Sequence, residues 1–189
     1  MADTVHIDKR ITKTKNKLKT ALVELLKTQR IEEISVVNLT NYAGVNRKTF
    51  YLHYSDVFSI LKEIENNVYE NAKKVVVNFK LSTTTLENFL YELLGLFAFD
   101  EHVSTLLKHT PYASNFTKLL DRLLIEEVNK KYYNMNSNII TPLQYTIAYH
   151  VYGSVRLFYT WLKHGQNDLK TFSKFLANII LKGAKGNFE

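Results

Sequence analysis

Residues Ser35 to Tyr54 read SVVNLTNYAGVNRKTFYLHY, and this stretch decides the fold. Val36, Leu39, Tyr42 and Ala43 recur at helical spacing. Ser35 stands where a hydroxyl can accept a hydrogen bond from a free backbone N–H in the first turn, and Gly44 where helices commonly need a left-handed residue. Val45 is expected as the buried plug of the turn. A further helix starting near Asn46 or Arg47 turns Phe50 and Tyr54 inward and leaves Arg47, Lys48, Thr49, Tyr51 and His53 outside. Two short helices about a tight turn form the layout of a helix-turn-helix, whose second helix offers side chains to the DNA major groove.

The charge distribution agrees with a polyanionic partner. The chain of 189 residues carries a net charge of +7. Met1 to Tyr54 holds ten Lys and Arg against five Asp and Glu, and the remainder fifteen against thirteen. A basic third on a nearly neutral body suits a nucleic-acid backbone, and a solvated basic tail is the competing explanation. Apolar residues at 46% and charged residues at 23% describe a folded chain, and only 2 Pro and 6 Gly interrupt it, so the expected class is all-α. Cysteine is absent, which removes disulfides and thiolate chemistry. No apolar run approaches the ~18 residues of a membrane span, and the N-terminus lacks the apolar core of a signal peptide, so a cytoplasmic protein without a membrane partner is expected.

On the N-terminal side, Ile11, Leu18, Leu22 and Leu25 predict a helix from about Thr12 to Lys27, with Lys9, Arg10, Lys13, Lys15, Lys17 and Lys19 facing outward. Ile31 and Ile34 in the connection can plug the core. On the other side, Asp56 is placed to cap a helix of about five turns whose inner face is Phe58, Leu61, Ile64, Val68 and Ala72. The segment Ser82-Thr83-Thr84-Thr85 breaks the pattern.

With Ser35, Leu39, Ala43-Gly44-Val45 and Thr49-Phe50-Tyr51-Leu52-His53-Tyr54 in place, the segment from about Leu18 to Leu61 resembles the DNA-binding domain of the TetR-type (TetR/AcrR) transcriptional regulators. The resemblance implies a three-helix domain over residues 1–54, a bridging helix from about 56, and a helical regulatory and dimerisation domain over 55–189, about nine helices in all. It also implies contacts to double-stranded operator DNA from Ser35, Asn46, Arg47, Lys48, Thr49, Tyr51 and His53. Arg47 suits either bidentate pairing with guanine O6 and N7 or a phosphate. His53 suits a phosphate more than base catalysis, having no visible partner. Arg30 stands where the family often has Gly, so the first helix is expected to end without a left-handed cap. Val37 and Val57 replace residues that are often Arg and Lys, so those two backbone contacts do not carry over.

The remaining chain reads as helices: Leu86 to Phe99, with Phe89, Leu90, Leu93, Leu94, Phe97 and Phe99 apolar; Glu101 to His109; Asn115 to Tyr133; Pro142 to His164; and one from Asp168. Met135 to Thr141 is expected as a loop. Leu143, Ile147, Val151, Val155, Phe158 and Leu162 form one stripe of the long helix and Ala148, Tyr152 and Tyr159 another, which suggests burial on two sides. Phe158 to Gly165 is similar to the end of the penultimate helix in the same family. There the last two helices pair with their symmetry mates, which implies Val151, Val155, Phe158, Leu162, Phe172, Leu176 and Ile179 as the interface of a homodimer.

No phosphate-binding glycine loop, zinc spacing or nucleophile elbow appears, so neither an enzyme nor a cofactor is expected. The carboxylates Glu126 and Glu127 read as a solvated face. The resemblance implies an effector pocket, and Tyr91, Phe97, His102, His109, Tyr112 and Tyr149 are the candidates for holding a small apolar or aromatic effector. A plain aromatic core is the competing reading, in which case a protein coactivator takes the effector's place.

Overall fold

The computed structural model describes residues 2–80, 84–109, 142–164 and 168–185, together with 118, 122, 123, 126, 127 and 130. Among them eight α-helices have both ends defined: α1 Ala2–Leu25, α2 Val36–Ala43, α3 Arg47–Tyr51, α4 Val57–Asn78, α5 Leu86–Ala98, α6 Glu101–His109, α7 Pro142–His164 and α8 Leu169–Lys185. A 3-10 turn, Ile31–Glu33, joins α1 to α2, and no strand occurs among the described residues. The expected loop from Met135 to Thr141 and most of the helix from Asn115 to Tyr133 lie outside the described residues. Lys118, Arg122, Leu123, Glu126, Glu127 and Lys130, within that last span, are helical.

The chain forms two compact units, Met1–Asn67 and Val68–Glu189, divided within α4. In the first, α1 packs on α2 and α2 on α3. Leu18, Leu22, Leu26, Ile31, Leu39, Phe50 and Ile60 are almost completely buried and form its core. Each such side chain contributes about 1.5–3 kcal/mol through removal of apolar surface from water. Ile34 is buried as well, so both isoleucines of the connection plug the core. Helix α1 begins ten residues before the expected start at Thr12. It ends through turn hydrogen bonds from Thr28 and Gln29 N–H to the Leu25 carbonyl, with Arg30 extended, so no left-handed residue is used.

Tyr42 and Phe58, expected on inner faces, turn outward. Tyr42 is exposed, and Thr40 is buried in its place, its hydroxyl donating to the Val36 carbonyl at 2.8 Å. At about 100° per residue the buried arc of α2 centres between Leu39 and Thr40, which puts Tyr42 beyond its edge. On α4 the buried row is Val57, Ile60, Leu61, Ile64, Val68, Ala72 and Val76, and Phe58 lies one position off it, exposed. Asp56 caps this helix as expected, accepting from Ser59 N–H at 2.7 Å. Phe99 is the C-cap of α5 and is exposed, folding back over Gly95, where a Cβ would stand 3.1 Å from its ring.

In the second unit α5 packs most extensively on α8, and also on α6, while α7 packs on α6 and α8. Thr85 starts α5 by accepting from Asn88 N–H at 3.2 Å, and Asp168 starts α8 by accepting from Thr171 N–H at 2.9 Å. Phe97, Phe158, Trp161 and Phe172 form a continuous aromatic cluster, with Trp161 stacked on Phe172 at a centroid distance of 5.3 Å. Of the residues placed on the two stripes of α7, Phe158 is buried, Val151, Val155, Leu162, Ala148 and Tyr159 are partly exposed, and Tyr152 is exposed. One chain alone therefore does not bury this helix on two sides. The expected solvated carboxylate pair is also corrected: Glu127 is buried and accepts from Lys130 Nζ at 2.7 Å, whereas Glu126 pairs with Arg122 at 3.3 Å.

Candidate nucleic-acid interface

The first unit places its polar side chains by capping two helices in succession. Ser35 is extended, with φ −78° and ψ 154°, and its Oγ accepts from Asn38 N–H at 3.1 Å. Helix α2 then closes on Gly44 at φ 60° and ψ 41°, the only positive φ among the described residues. The left-handed turn lets Val45 N–H bond back to the Thr40 carbonyl at 3.0 Å. Asn46 is extended in turn, its Oδ1 accepting from Lys48 N–H at 2.8 Å, and α3 begins.

Phe50 is fully buried and fixes the orientation of α3. Its ring meets Tyr51 edge-on at 5.3 Å and Tyr54 at 6.0 Å. Asn46, Arg47, Lys48 and Tyr51 are exposed, and Thr49 and His53 are partly exposed. Arg47 lies along the helix, with Nη2 donating to the Tyr51 hydroxyl at 3.4 Å and its guanidinium 5.6 Å from the ring centroid. A planar donor group held against an aromatic face is partly ordered before any ligand arrives. All seven sequence-predicted residues thus belong to one capped helix-turn-helix. Val45 is only partly buried, so Phe50 carries more of the packing at this turn.

Behind α3, a charged cluster joins α1 to α4. Glu63 accepts from Lys15 Nζ at 2.9 Å and pairs with Lys19 Nζ at 2.8 Å. Burial alone would raise the Glu63 pKa, but the hydrogen bonds and charges of Lys19 and Lys15 outweigh it and hold the carboxyl below its ordinary range. Lys15 also sits 5.3 Å from the centroid of the Tyr54 ring. The Tyr54 hydroxyl is buried beside Glu63, and burial first, then the charge and hydrogen-bonding capacity of the Glu63 carboxylate, push its pKa far above that of a free phenol. Thus two of the α1 lysines serve the fold. Lys9, Lys13 and Lys17 instead border an open groove of about 760 Å³ against Tyr42 and Ala43.

Among the described residues, Tyr91, Phe97, His102 and Tyr149 do not line one common cavity. Phe97 is in the core, Tyr91 is exposed and meets Phe99 at 6.2 Å, and His102 lies 3.8 Å from Asp100. Tyr149 is exposed on α7. Tyr112 and the side chain of His109 lie outside the described residues. Of the candidate interface residues, Phe158, Phe172 and Leu176 are buried within the chain, Val151, Val155 and Leu162 are partly exposed, and Ile179 is exposed.

Helices α7 and α8 carry a different exposed apolar set: Tyr145, Leu157, Phe175 and Leu181, which the sequence pattern did not single out, beside Tyr149, Tyr152 and Ile179, which it did. Between these helices lies a largely apolar trough of about 510 Å³, lined by Tyr149, Tyr152, Gly153, Leu157 and Ile179 among others. Periodicity marks apolar residues but not which of two apolar rows the chain's own helices cover. Among the described residues no group of three His, Cys, Asp or Glu is placed to hold a metal ion. No described helix is long and apolar enough to cross a membrane.

The chain matches no protein-family model and no curated protein sequence. Solved structures do resemble it along nearly its whole length. A TetR transcriptional regulator from Streptococcus agalactiae is 22% identical, covers 94% of this chain and 98% of its own, and superposes with a TM-score of 0.59. NalD of Pseudomonas aeruginosa, the secondary repressor of the MexAB-OprM multidrug efflux pump, is 16% identical with coverages of 93% and 97% and a TM-score of 0.62. DhaS, a dihydroxyacetone kinase operon activator, is 18% identical with coverages of 91% and 96% and a TM-score of 0.55. A capped helix-turn-helix followed by a larger helical unit, matched along more than nine-tenths of the chain by these structures, gives this chain the fold of the TetR-type transcriptional regulators.

Proposed function

We propose that the chain is a homodimeric, DNA-binding transcriptional regulator that occupies a pseudo-palindromic operator as a repressor and is released by an effector. The observation that carries this reading is the capped turn from Ser35 to Tyr51, which buries Phe50 and leaves Arg47, Lys48 and Tyr51 in solvent on one short helix. A basic, aromatic helix outside a well-packed core is what major-groove recognition needs. Residues 1–54 form the DNA-binding part, and 55–189 the regulatory and dimerising part.

The dimer is assigned to the exposed face of α7 and α8. Tyr149, Tyr152, Leu157, Phe175 and Ile179 lie there, and Gly153 has nothing within 4 Å of a would-be Cβ, leaving room for a second helix to approach. An apolar face of this kind on a single chain favours association. The effector is a small apolar or aromatic compound, or a protein coactivator. A ligand screen reading melting temperature and DNA release separates these two.

Footprinting of duplex DNA from the gene's own neighbourhood tests the central reading. The expected result is a symmetric protected site whose half-site centres are about one DNA turn, ~34 Å, apart, with occupancy falling steeply as salt rises. Absence of any symmetric, salt-sensitive site would falsify it, and a helical dimer acting only through protein partners would replace it. The resembling proteins include one named a repressor and one named an activator, so a reporter fused to the footprinted site decides the sign of regulation.

A further inference from the structure

Among the described residues, Leu52 is the most exposed of the large hydrophobic side chains, with 79% of its surface in water. It is the C-cap of α3 and keeps helical backbone angles, φ −71° and ψ −19°. At about 100° per residue, Lys48 and Leu52 each lie roughly 160° from Phe50, the residue that anchors α3 to the core. They are therefore the two outermost positions of the helix. Arg47 lies only about 60° from Phe50 on the same count, and its guanidinium is folded toward Tyr51.

We infer that Leu52 is a specificity-determining residue that reads a thymine through its C5-methyl group. The inference rests on the DNA-binding reading above and adds to it the residue and the base. The side chain has no polar atom, so it can neither hold a phosphate nor pair with a base edge by hydrogen bonding. In the major groove thymine is the base that offers an apolar group, its methyl, and apolar side chains discriminate it on that basis. The neighbours of Leu52 on α3 argue against a protein-docking patch, because Lys48 and Arg47 are charged and Tyr51, on which the Arg47 guanidinium lies, is the one other exposed large hydrophobic side chain on the helix.

The test begins by selecting binding sites for the full-length protein from random duplex DNA. Each thymine of the selected half-site is then replaced by uracil, which removes only the methyl group. One position is expected to weaken wild-type binding by about fourfold per half-site, the value of one buried methyl-sized group. At that position Leu52→Ala should bind thymine and uracil DNA equally while keeping its salt dependence. The inference is overturned if no uracil replacement affects the wild type, or if Leu52→Ala keeps the same sensitivity. If the selection enriches no site at all, the DNA-binding reading itself fails, a result distinct from either of these.

Discussion

Arg47 and Lys48 are adjacent in sequence yet are set up for different tasks. Arg47 is held against Tyr51, with a defined plane and limited freedom, whereas Lys48 points outward as a flexible point charge. Replacing Arg47 by Ala is expected to cost about 1–3 kcal/mol of binding and to relax base preference, if the fork meets a guanine. Replacing Lys48 by Ala is expected to weaken all sequences alike and to reduce the salt slope by about one. Binding titrations at several salt concentrations with matched and mutated sites check both; wild-type behaviour in both variants rejects the assignment of α3. These residues were legible because the turn chemistry of Ala43-Gly44-Val45 and the aromatic cluster after it fix the register of the helix. Tyr42 and Phe58 were misplaced because an apolar residue one position beyond a buried arc still fits helical spacing, and only packing shows which neighbour is covered.

At the level of elements, the tie between α1 and α4 is electrostatic as well as apolar. Glu63 accepts two lysines of α1, and Lys19 is mostly buried, with 12% of its side chain exposed. Glu63→Gln removes the charge that both lysines face and is expected to destabilise the fold by roughly 1–3 kcal/mol at neutral pH. The sign of the pH effect follows from the carboxyl being held below its ordinary range. Its contribution is fully present above the unfolded-state pKa, near 4.3, and is lost as pH falls through the lower folded-state value. Thermal melts between neutral pH and about pH 3 should therefore show a smaller acid-induced loss for the variant than for the wild type. Equal losses would mean that this cluster does not govern acid stability. The sequence could not reveal this tie, because forty-eight positions separate Lys15 from Glu63 and neither carries a local signature of its partner.

For the whole molecule, the two halves differ in how readily sequence reports them. The first unit is dense in turn and cap residues, each with a specific backbone requirement. The second is built from Phe, Tyr and Leu on long helices, where several packings satisfy the same pattern. That is why its all-α class was readable while Phe158, Phe172 and Leu176 were assigned to a partner although the chain itself buries them. The exposed set on α7 and α8 gives the better handle on assembly. Leu157→Glu combined with Ile179→Glu is expected to shift sedimentation from dimer to monomer and to lower operator affinity at least tenfold, while the far-ultraviolet helical signal is retained. An unchanged dimer would move the interface elsewhere.

The two caps that begin α2 and α3 have a consequence for polarity. Ser35 spends an oxygen lone pair on Asn38 N–H, and Asn46 spends its carbonyl oxygen on Lys48 N–H. Each oxygen keeps one further lone pair, while the hydroxyl proton of one and the amide protons of the other stay fully available to give a hydrogen bond. A phosphodiester oxygen can only accept one. Folding therefore sorts these side chains so that donors are left for the surface, and the surface acquires a bias toward phosphate at two uncharged residues, independently of any lysine or arginine.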